Sequence, residues 1–258
     1  MKNTALITGA STGLGKEFAH IHAQKGGDLV VVARSEDKLL QLKTVLEEAY
    51  NAKVLVISKD LSIATAPQEI YDQVKNEGIT IDYLINNAGF GGIGKFYERE
   101  LATDISMIQL NITALTVLTR LFAVDFVARN QGKILNVSST ASLLPGPLQA
   151  VYFATKAYVT SFSNAIAEEL SETNVTVTNL MPGATATEFG KVSGMDKTPM
   201  FQKTASAREV AEKGYNAMLK GKLNIISGLT FMQKLMMASI PFTPKKILLK
   251  QIKKMQKV

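Results

Sequence analysis

The sequence predicts an α/β fold, a doubly wound domain whose single parallel β-sheet carries helices on both faces. Short, continuous apolar runs such as residues 29–33 (LVVVA) alternate with longer helical segments along the chain. A continuous apolar run indicates a strand buried on both faces, as in sheets built from βαβ units. With 258 residues, 46% of them hydrophobic, the chain is long enough to bury a large core as one unit.

The elements follow in regular order from the first strand, residues 4–7 (TALI), which runs into a glycine-rich turn at Gly9–Gly15. Each predicted strand is short, apolar and rich in β-branched residues, and each intervening segment is long enough for a helix. The predicted strands are residues 4–7, 29–33, 53–57, 81–86, 133–138 and 175–181. The predicted helices run from the glycine-rich turn to about 25 and over 36–50, 65–77, 97–130 and 149–172. We expect a domain over residues 1–228 and a basic amphipathic extension over 229–258.

Composition excludes several classes of site. The chain has no cysteine, which rules out disulfides, thiolate metal sites and a cysteine nucleophile. It has 2 histidines, His20 and His22, so we expect no metal site. The segment beginning Met1-Lys2-Asn3 leaves no room for a signal peptide, and no stretch approaches about 20 uncharged apolar residues. We therefore expect a cytoplasmic protein without a transmembrane helix.

The positive charge is concentrated at the carboxyl end. The net charge is +7, yet residues 213–258 hold ten lysines, no arginine and no acidic residue. That segment carries +10, which leaves −3 on residues 1–212. A nucleic-acid-binding domain would need a basic body or a recognisable module. We expect no nucleic-acid partner.

The glycine-rich turn Thr8–Lys16 admits several interpretations. A Walker loop would need a glycine at position 10 and Ser or Thr in place of Glu17. A nucleophile elbow would match Gly9, Ser11 and Gly13, but it needs a histidine later in the chain than His22. A dinucleotide-binding turn suits its place after the first strand, because glycines let the backbone approach a pyrophosphate. A merely flexible turn is the remaining alternative.

Three motifs in order resemble the short-chain dehydrogenase/reductase family. They are T-G-x-x-x-G-x-G at residues 8–15, N-N-A-G at 86–89 and Y-x-x-x-K at 152–156. The resemblance covers about residues 4–228 and implies a Rossmann-type fold and an oxidoreductase. It also implies a homodimer or homotetramer, with helices near 108–130 and 150–172 paired between subunits.

The end of the second strand favours NADP(H) as the cofactor. No carboxylate precedes Glu36 there, and Arg34 offers a guanidinium suited to a 2′-phosphate. The alternative is a solvated arginine at the start of a helix. Ser11, Thr12 and Ser35 could add hydroxyl contacts, and the resemblance assigns the nicotinamide carboxamide to Thr187. With the contacts that the resemblance adds, the predicted cofactor residues are Gly9, Ser11, Thr12, Gly13, Leu14, Gly15, Arg34, Asp60, Leu61, Asn87, Ala88, Gly89, Tyr152, Lys156, Pro182, Gly183, Thr185 and Thr187.

The Y-x-x-x-K pattern occurs twice, at Tyr71–Lys75 and Tyr152–Lys156, each with a serine 13 residues upstream. In the predicted strand order 3-2-1-4-5-6, Ser58 follows the third strand on the adenine side, whereas Ser139 ends the fifth, near the nicotinamide. We therefore expect Tyr152–Lys156 to be the functional pair and Tyr71–Lys75 to be an exposed helix pair.

The predicted catalytic residues have separate roles. Tyr152 and Lys156 share a helix face, so that the ammonium can stabilise the phenolate. Tyr152 would act as general acid in reduction and as general base in oxidation, and Ser139 would donate a hydrogen bond to the carbonyl oxygen. The resemblance assigns Asn111 to a proton-relay water held by its backbone. The alternative for Asn111 is an ordinary polar residue on a buried helix.

The predicted substrate walls are residues 90–93, 143–148 and 188–204, which are largely apolar. Their large apolar side chains are Phe90, Leu143, Leu144, Leu148, Phe189, Met195 and Phe201. We expect an uncharged ketone, aldehyde or oxoacyl substrate. A non-catalytic NADP sensor remains an alternative, as does an epimerase or dehydratase, although those relatives usually carry a larger substrate domain.

The basic extension has its own pattern. Within residues 244–257, Ile247, Leu248, Ile252 and Met255 recur near helical spacing, and six lysines cover much of the remaining surface. Such a helix can lie on an anionic membrane as a peripheral contact. The alternative is that the apolar stripe packs on the body or on a partner subunit while the lysines are solvated.

Overall fold

The computed structural model describes residues 2–230, 232, 233, 235, 237, 240 and 243–256, with the backbone only at Met200. Seven parallel strands form one sheet in the order β3-β2-β1-β4-β5-β6-β7. The strands are β1 (Thr4–Thr8), β2 (Asp28–Ala33), β3 (Val54–Ser58), β4 (Tyr83–Asn86), β5 (Gly132–Val137), β6 (Val175–Pro182) and β7 (Asn224–Ser227). This architecture confirms the predicted doubly wound α/β fold.

Helices cover both faces of the sheet. They are α1 (Gly13–Gln24), α2 (Glu36–Tyr50), α3 (Ala66–Asn76), α4 (Leu101–Ile108), α5 (Leu115–Ala128), α6 (Ala150–Glu169), α7 (Phe189–Ser193), α8 (Ala207–Leu219) and α9 (Lys245–Met255). A π-helical segment, Gln109–Ala114, joins α4 to α5. The helices predicted over 97–130 are therefore present, as α4, the π-helical segment and α5, with a separate turn at Phe96–Glu98 before them.

The six predicted strands are present in the predicted order, and the structure adds β7. The NIIS sequence of β7 is short and mostly half-exposed, so it lacks the continuous apolar run that marks the buried strands. The sheet ends at Ser227, directly before the proposed boundary at 228.

Alternating side chains of the central strands supply two cores, one on each face. Ala5 and Ile7 of β1 pack with Phe18 of α1 and with α8. Leu6 faces the other way and packs with α5. Both faces of β1 are therefore buried. This packing fixes the position of its carboxyl end, where the glycine-rich turn begins.

The stretch Leu101–Ala128 is, among the helices that the structure describes, the one long and apolar enough by composition to cross a membrane. The absence of about 20 uncharged apolar residues in a row predicts no such stretch. One side of this 28-residue stretch is buried against the sheet through Leu118, Phe122 and Phe126. Burial of this kind is what a core helix of a globular domain requires, and it fixes α5 beside β4.

A buried histidine lies at the opposite edge of the sheet from the glycine-rich turn. His22 Nε2 lies 3.0 Å from the Asn3 carbonyl oxygen, and Nδ1 lies 2.7 Å from the Tyr215 hydroxyl. A carbonyl can only accept, so Nε2 carries the proton and Tyr215 donates to Nδ1. Burial lowers the pKa of His22, although nearby backbone and carboxylate groups oppose the shift.

We expect this histidine to make stability depend on pH. The unfolded chain takes up the His22 proton below about pH 6.5, whereas the folded chain resists it, so the free energy of unfolding falls as pH drops below that value. Urea unfolding at pH 7.5 and 5.5 measures the loss, which His22→Gln should reduce. An unchanged loss in the variant would contradict the assignment.

Candidate active site

A cavity of about 360 Å³ opens at the carboxyl edge of the parallel sheet, where the loops after β1 to β6 meet. Ligands of doubly wound folds bind at this edge, where the strand order reverses. The cavity lining brings together every predicted cofactor and catalytic residue except Gly15 and Asn111. The loops of six strands thus place together predicted residues that are up to 178 positions apart in sequence, from Gly9 to Thr187.

The glycine-rich turn leaves the start of α1 open to the cavity. Gly9 and Gly13 have φ of +66° and +54°, a region that favours glycine. Thr12 precedes the helix, but its side chain makes no capping hydrogen bond. The first amides of α1 therefore point toward the cavity edge, where a pyrophosphate can accept from them.

Gly15 lies beneath this turn instead of lining the cavity. A Cβ at Gly15 would lie 2.2 Å from the Gly9 carbonyl oxygen and 2.6 Å from Asn87 Nδ2. The missing side chain lets α1 approach the strand ends, so Gly15 supports the turn from below. Gly15 is outside the lining residues, and its predicted contact with the cofactor stays a prediction.

Asn87 and Ala88 tie the glycine-rich turn to β4. Asn87 Nδ2 donates to the carbonyls of Thr8 and Gly9, at 2.9 and 3.2 Å. The backbone amides of Asn87 and Ala88 both donate to Thr8 Oγ1 at 3.0 Å. Gly89 follows, and a Cβ there would lie 3.4 Å from Lys156 Nζ. The N-N-A-G motif therefore holds the two sides of the cavity at a fixed spacing.

The end of the cavity beside the loops after β2 and β3 is cationic. Arg34 lies 4.0 Å from Asp60 with 77% of its side chain exposed, so its guanidinium keeps open donor positions. Burial favours a higher pKa for Asp60, but hydrogen bonds from Ser62 and the Arg34 charge hold that pKa below its ordinary value. The cavity wall also includes Lys38 and Lys59, which sequence reasoning missed. Lys38 follows Arg34 by four residues, a helical spacing that could have revealed it.

The segment after β6 covers the middle of the cavity. A Cβ at Gly13 would lie 3.1 Å from Thr187 Cβ, which places this segment directly against the glycine-rich turn. Thr187 Oγ1 accepts from the Phe189 amide at 3.3 Å, and Thr185 Oγ1 donates to the Gly183 carbonyl at 2.9 Å. Lys38 and Glu188 form an exposed ion pair of 3.5 Å between α2 and this segment.

Ser139, Tyr152 and Lys156 meet at the other end. Ser139 follows β5, where its hydroxyl accepts from the Ala141 amide at 3.1 Å. Tyr152 and Lys156 lie one turn apart on α6, with Lys156 Nζ 5.9 Å from the centroid of the Tyr152 ring. Lys156 Nζ donates to the Val137 carbonyl at 2.9 Å, which uses one of its three N–H groups.

Burial shifts both titratable groups toward their neutral forms. It raises the pKa of Tyr152 to about 12, although a hydrogen bond with Ser139 acts in the opposite direction. It lowers the pKa of Lys156 to about 8. At neutral pH, Tyr152 therefore keeps its proton and Lys156 keeps its positive charge.

Asn111 lies outside the cavity lining, on the π-helical segment. Its Nδ2 donates to the Phe90 carbonyl at 2.9 Å and to Thr155 Oγ1 at 3.1 Å, and its Oδ1 accepts from the Phe90 amide at 3.1 Å. These bonds use both ends of the side-chain amide to hold the loop after β4. Only the backbone of Asn111 remains for the predicted water, and that role stays a prediction.

The second Y-x-x-x-K motif lies away from the cavity, between α3 and α5. The Tyr71 hydroxyl is 3.1 Å from both carboxylate oxygens of Asp125, and Lys75 Nζ is 3.2 Å from one of them. The prediction of a simple exposed pair is wrong for Tyr71, which is half-buried and bonded. Through these contacts with Asp125, the motif links α3 to α5.

Only part of the predicted substrate walls lines the cavity. Phe90, Phe189, Met195 and Phe201 line the cavity, with the Phe189 ring centroid 5.5 Å from that of Tyr152. The predicted wall residues Leu143, Leu144 and Leu148 are not among the lining residues that the structure describes. Leu148 instead adopts φ of +71°, and its carbonyl accepts from the Gly94 amide at 2.9 Å. Val192, within the predicted wall 188–204, also lines the cavity, and apolar lining residues outside the predictions include Leu110, Val137, Ala141 and Phe153.

Metal ligands are not grouped in this site. No group of three or more His, Asp or Glu side chains that could hold a metal ion occurs within the described part of the chain. The polar groups at the catalytic end are a hydroxyl, a phenol and an amine.

Comparison with known proteins relates this geometry to one family. A family model described as short chain dehydrogenase matches residues 3–198. The very-long-chain 3-oxoacyl-CoA reductase of Mus musculus is 34% identical over 194 residues, a match that covers 73% of this chain and 61% of that protein. The chain therefore spans about three fifths of that relative, whereas the Danio rerio reductase, 30% identical, matches over 85% of this chain and 68% of its own length.

Solved structures give the same fold. A short-chain dehydrogenase from Sphingobium yanoikuyae in complex with NADPH is 30% identical, with a TM-score of 0.84 over 93% of both chains. The bulky-bulky ketone specific alcohol dehydrogenase from Comamonas testosteroni is 28% identical, with a TM-score of 0.80 over 93% of this chain and 92% of that one.

Proposed function

Because this chain belongs to the short-chain dehydrogenase family, we propose that it is an NADPH-dependent reductase of bulky, apolar ketones, aldehydes or oxoacyl groups. The main observation in support of this proposal is that the two ends of one cavity are lined by different sets of residues. Arg34, Lys38 and Lys59 line its adenosine end, and Ser139, Tyr152 and Lys156 line the other. A cationic end suits a 2′-phosphate, and a phenol beside an amine suits proton transfer to a carbonyl oxygen.

The residues present fit a dinucleotide. The glycine-rich turn and the open start of α1 form a cradle. A Cβ at Gly9 would lie 2.9 Å from Asn87 Nδ2, so the missing side chain lets the turn lie this close to the loop after β4. Arg34 and Lys38 would hold the 2′-phosphate, and Thr187 would orient the nicotinamide carboxamide. The bound cofactor supplies the hydride to the carbonyl carbon.

The chain's own residues handle the proton. Ser139 donates a hydrogen bond to the carbonyl oxygen, where negative charge develops, and Tyr152 gives that oxygen its phenolic proton. The Lys156 cation lies near enough to stabilise the phenolate that remains. Phe189 and the rest of the apolar wall exclude water from the reacting carbonyl. In the oxidation direction the same groups take the reverse roles, and Tyr152 acts as the general base.

We expect the reductive kcat/KM to fall as pH rises through about 8. Burial lowers the pKa of Lys156 to about 8, so the free enzyme loses the charge that supports Tyr152 above that pH. The dependence of kcat/KM on pH reports such groups in the free enzyme. Initial rates with a non-ionising ketone should be flat from pH 6.5 to 7.5 and decline above it.

The Lys156→Arg variant is the matched control, because a guanidinium keeps its charge throughout this range. Its residual activity should show no decline near pH 8. A wild-type profile that stays flat to pH 9.5 would contradict the role of Lys156.

The apolar wall supports the substrate class. Phe90, Phe189 and Phe201 line the substrate end of the cavity. The names of two similar proteins specify a very-long-chain 3-oxoacyl-CoA and a bulky ketone as their substrates. A panel of ketones, aldehydes and oxoacyl esters, assayed by NADPH consumption, tests the proposal. The proposal requires kcat/KM to increase with apolar bulk; equal rates for small and bulky carbonyls would remove the substrate assignment.

A non-catalytic NADP sensor is the alternative. The joint placement of Ser139, Tyr152 and Lys156 in one cavity argues for turnover, because a sensor needs no proton donor beside the nicotinamide. Tight NADPH binding without oxidation by any carbonyl of the panel would favour the sensor.

We also propose a domain organisation, an oligomeric state and a cellular location for this chain. A catalytic domain over 1–228 and an extension over 229–258 would form a homodimer or homotetramer, for which exposed Leu101, Ile105 and Val124 offer an apolar surface. Light scattering after gel filtration tests the assembly. Because a reductase of this kind needs the cell's NADPH pool, we propose a cytoplasmic location, which cell fractionation tests.

A further inference from the structure

The carboxyl-terminal helix α9 turns its lysines toward solvent and buries most of its apolar stripe. Ile252 is buried, and Leu248 and Met255 are half-buried at positions one turn before and after it. Lys246 and Lys250 are exposed and lie on the opposite face. Three of the four residues of the predicted stripe are therefore used in packing, and the outward face is basic, with Ile247 exposed beside the lysines.

This basic face has no acidic partner in the described part of the chain. The lysines of α9 take part in no ion pair there, and no Asp or Glu follows Glu212. The exposed lysines of α9 are Lys245, Lys246, Lys250, Lys253 and Lys254. An external anionic surface can therefore meet them without displacing an internal partner.

An exposed apolar side chain lies on α9 among these lysines. Ile247, directly after Lys246, is 51% exposed. Lysines beside an exposed apolar side chain suit the headgroup region of a bilayer, where charge attracts and apolar groups insert shallowly.

We propose that the lysine face of α9, together with Ile247, docks the protein on bilayers that contain anionic phospholipid. The chemistry favours lipid over nucleic acid, because residues 213–258 hold ten lysines but no arginine, the side chain best suited to forked phosphate contacts. The net charge of −3 on residues 1–212 also opposes a polyanion that extends over the body. This docking is independent of the proposed reductase activity.

The structure further specifies the binding mode. Because Ile252 is buried and Leu248 and Met255 are half-buried, attachment depends mainly on charge and needs no release of α9 from the body. The interaction should be strong when the screening length is ~30 Å, at about 0.01 M salt, and weak at about 1 M, where that length is ~3 Å.

Sedimentation of the full chain with vesicles tests the proposal. We expect binding to vesicles of mixed phosphatidylserine and phosphatidylcholine at low salt, and none to phosphatidylcholine alone. The triple substitution Lys246→Gln, Lys250→Gln, Lys254→Gln should lower the partition coefficient roughly 100-fold, at about tenfold for each 1.4 kcal/mol and ~1 kcal/mol for each lysine. Circular dichroism verifies that the variant is folded.

The matched control removes the same charge from the body, by Lys25→Gln, Lys43→Gln and Lys53→Gln. It should bind vesicles within about twofold of the wild type, because these lysines lie outside α9. The proposal is overturned by equal losses in the two triple variants, by no wild-type binding at low salt, or by equal binding to neutral vesicles. Tighter binding to duplex DNA than to anionic vesicles would assign the face to nucleic acid instead.

Discussion

The Tyr152→Phe variant should lose about 10²–10⁴-fold in kcat, the usual contribution of a positioned acid or base. The phenol is 6% exposed, and phenylalanine fills the same space, so the fold and the cofactor cradle should persist. Only the proton donor disappears, and NADPH should still bind with nearly unchanged affinity. Stopped-flow reduction rates and NADPH fluorescence titration measure the two quantities separately.

The second Y-x-x-x-K motif supplies the control. Tyr71→Phe removes a phenol that bonds Asp125 outside the cavity, so it should leave kcat unchanged within about twofold. Equal losses in the two variants would mean that the topological choice between the motifs is wrong. A large loss of NADPH affinity in Tyr152→Phe would instead assign Tyr152 to binding.

The Arg34→Asp variant should reverse the preference between cofactors. A charge-assisted hydrogen bond to the 2′-phosphate contributes about 1.5–3 kcal/mol, which corresponds to a discrimination of about 10- to 150-fold. The introduced carboxylate would instead repel the phosphate and accept from the ribose hydroxyls of NADH. The ratio of kcat/KM for NADPH and NADH, measured for both proteins, gives the change directly.

Lys38 provides a second test of the site proposed for the 2′-phosphate. Its partner Glu188 is 3.5 Å away, and both side chains are at least half exposed, so the pair is weak and can be exchanged for a phosphate. Lys38→Gln should weaken NADPH binding alone, whereas Lys43→Gln, further along α2 and outside the cavity, should change neither cofactor. A wild-type enzyme that uses NADH as well as NADPH would remove the assignment of Arg34.

Sequence alone could place most of the site because parallel strands end at one edge. Residues that follow β1, β4 and β5 must meet there, so Gly9, Asn87 and Ser139 could be brought together without coordinates. Strand order also separated Tyr152 from Tyr71. These inferences depend on topology, which the hydrophobic pattern of buried strands carries well.

The remaining differences concern the directions of side chains. Asn111 lies outside the cavity lining because its side-chain amide bonds the backbone of Phe90, 21 residues away in sequence, and its predicted backbone role stays a prediction. Leu148 has the apolar character of a wall, yet its backbone turns through φ of +71° and removes it from the lining. Composition does not show which way such a loop turns.

The carboxyl-terminal helix α9 is another case in which the sequence pattern does not show what covers a side chain. Helical spacing predicts an apolar stripe through Ile252, but spacing cannot tell whether lipid or protein covers that stripe. The structure buries Ile252 and exposes the lysines, so the surface available to a partner is the basic one.

Hydride transfer to a carbonyl is the central claim, and isotope transfer measures it most directly. Wild-type enzyme is mixed with [4-²H]NADPH and a bulky apolar ketone, and the alcohol is analysed by mass spectrometry. We predict deuterium on the former carbonyl carbon, from one face of the nicotinamide alone, at a rate that collapses in Tyr152→Phe. Bound NADPH that delivers no deuterium to any ketone, aldehyde or oxoacyl ester of the panel would contradict the account.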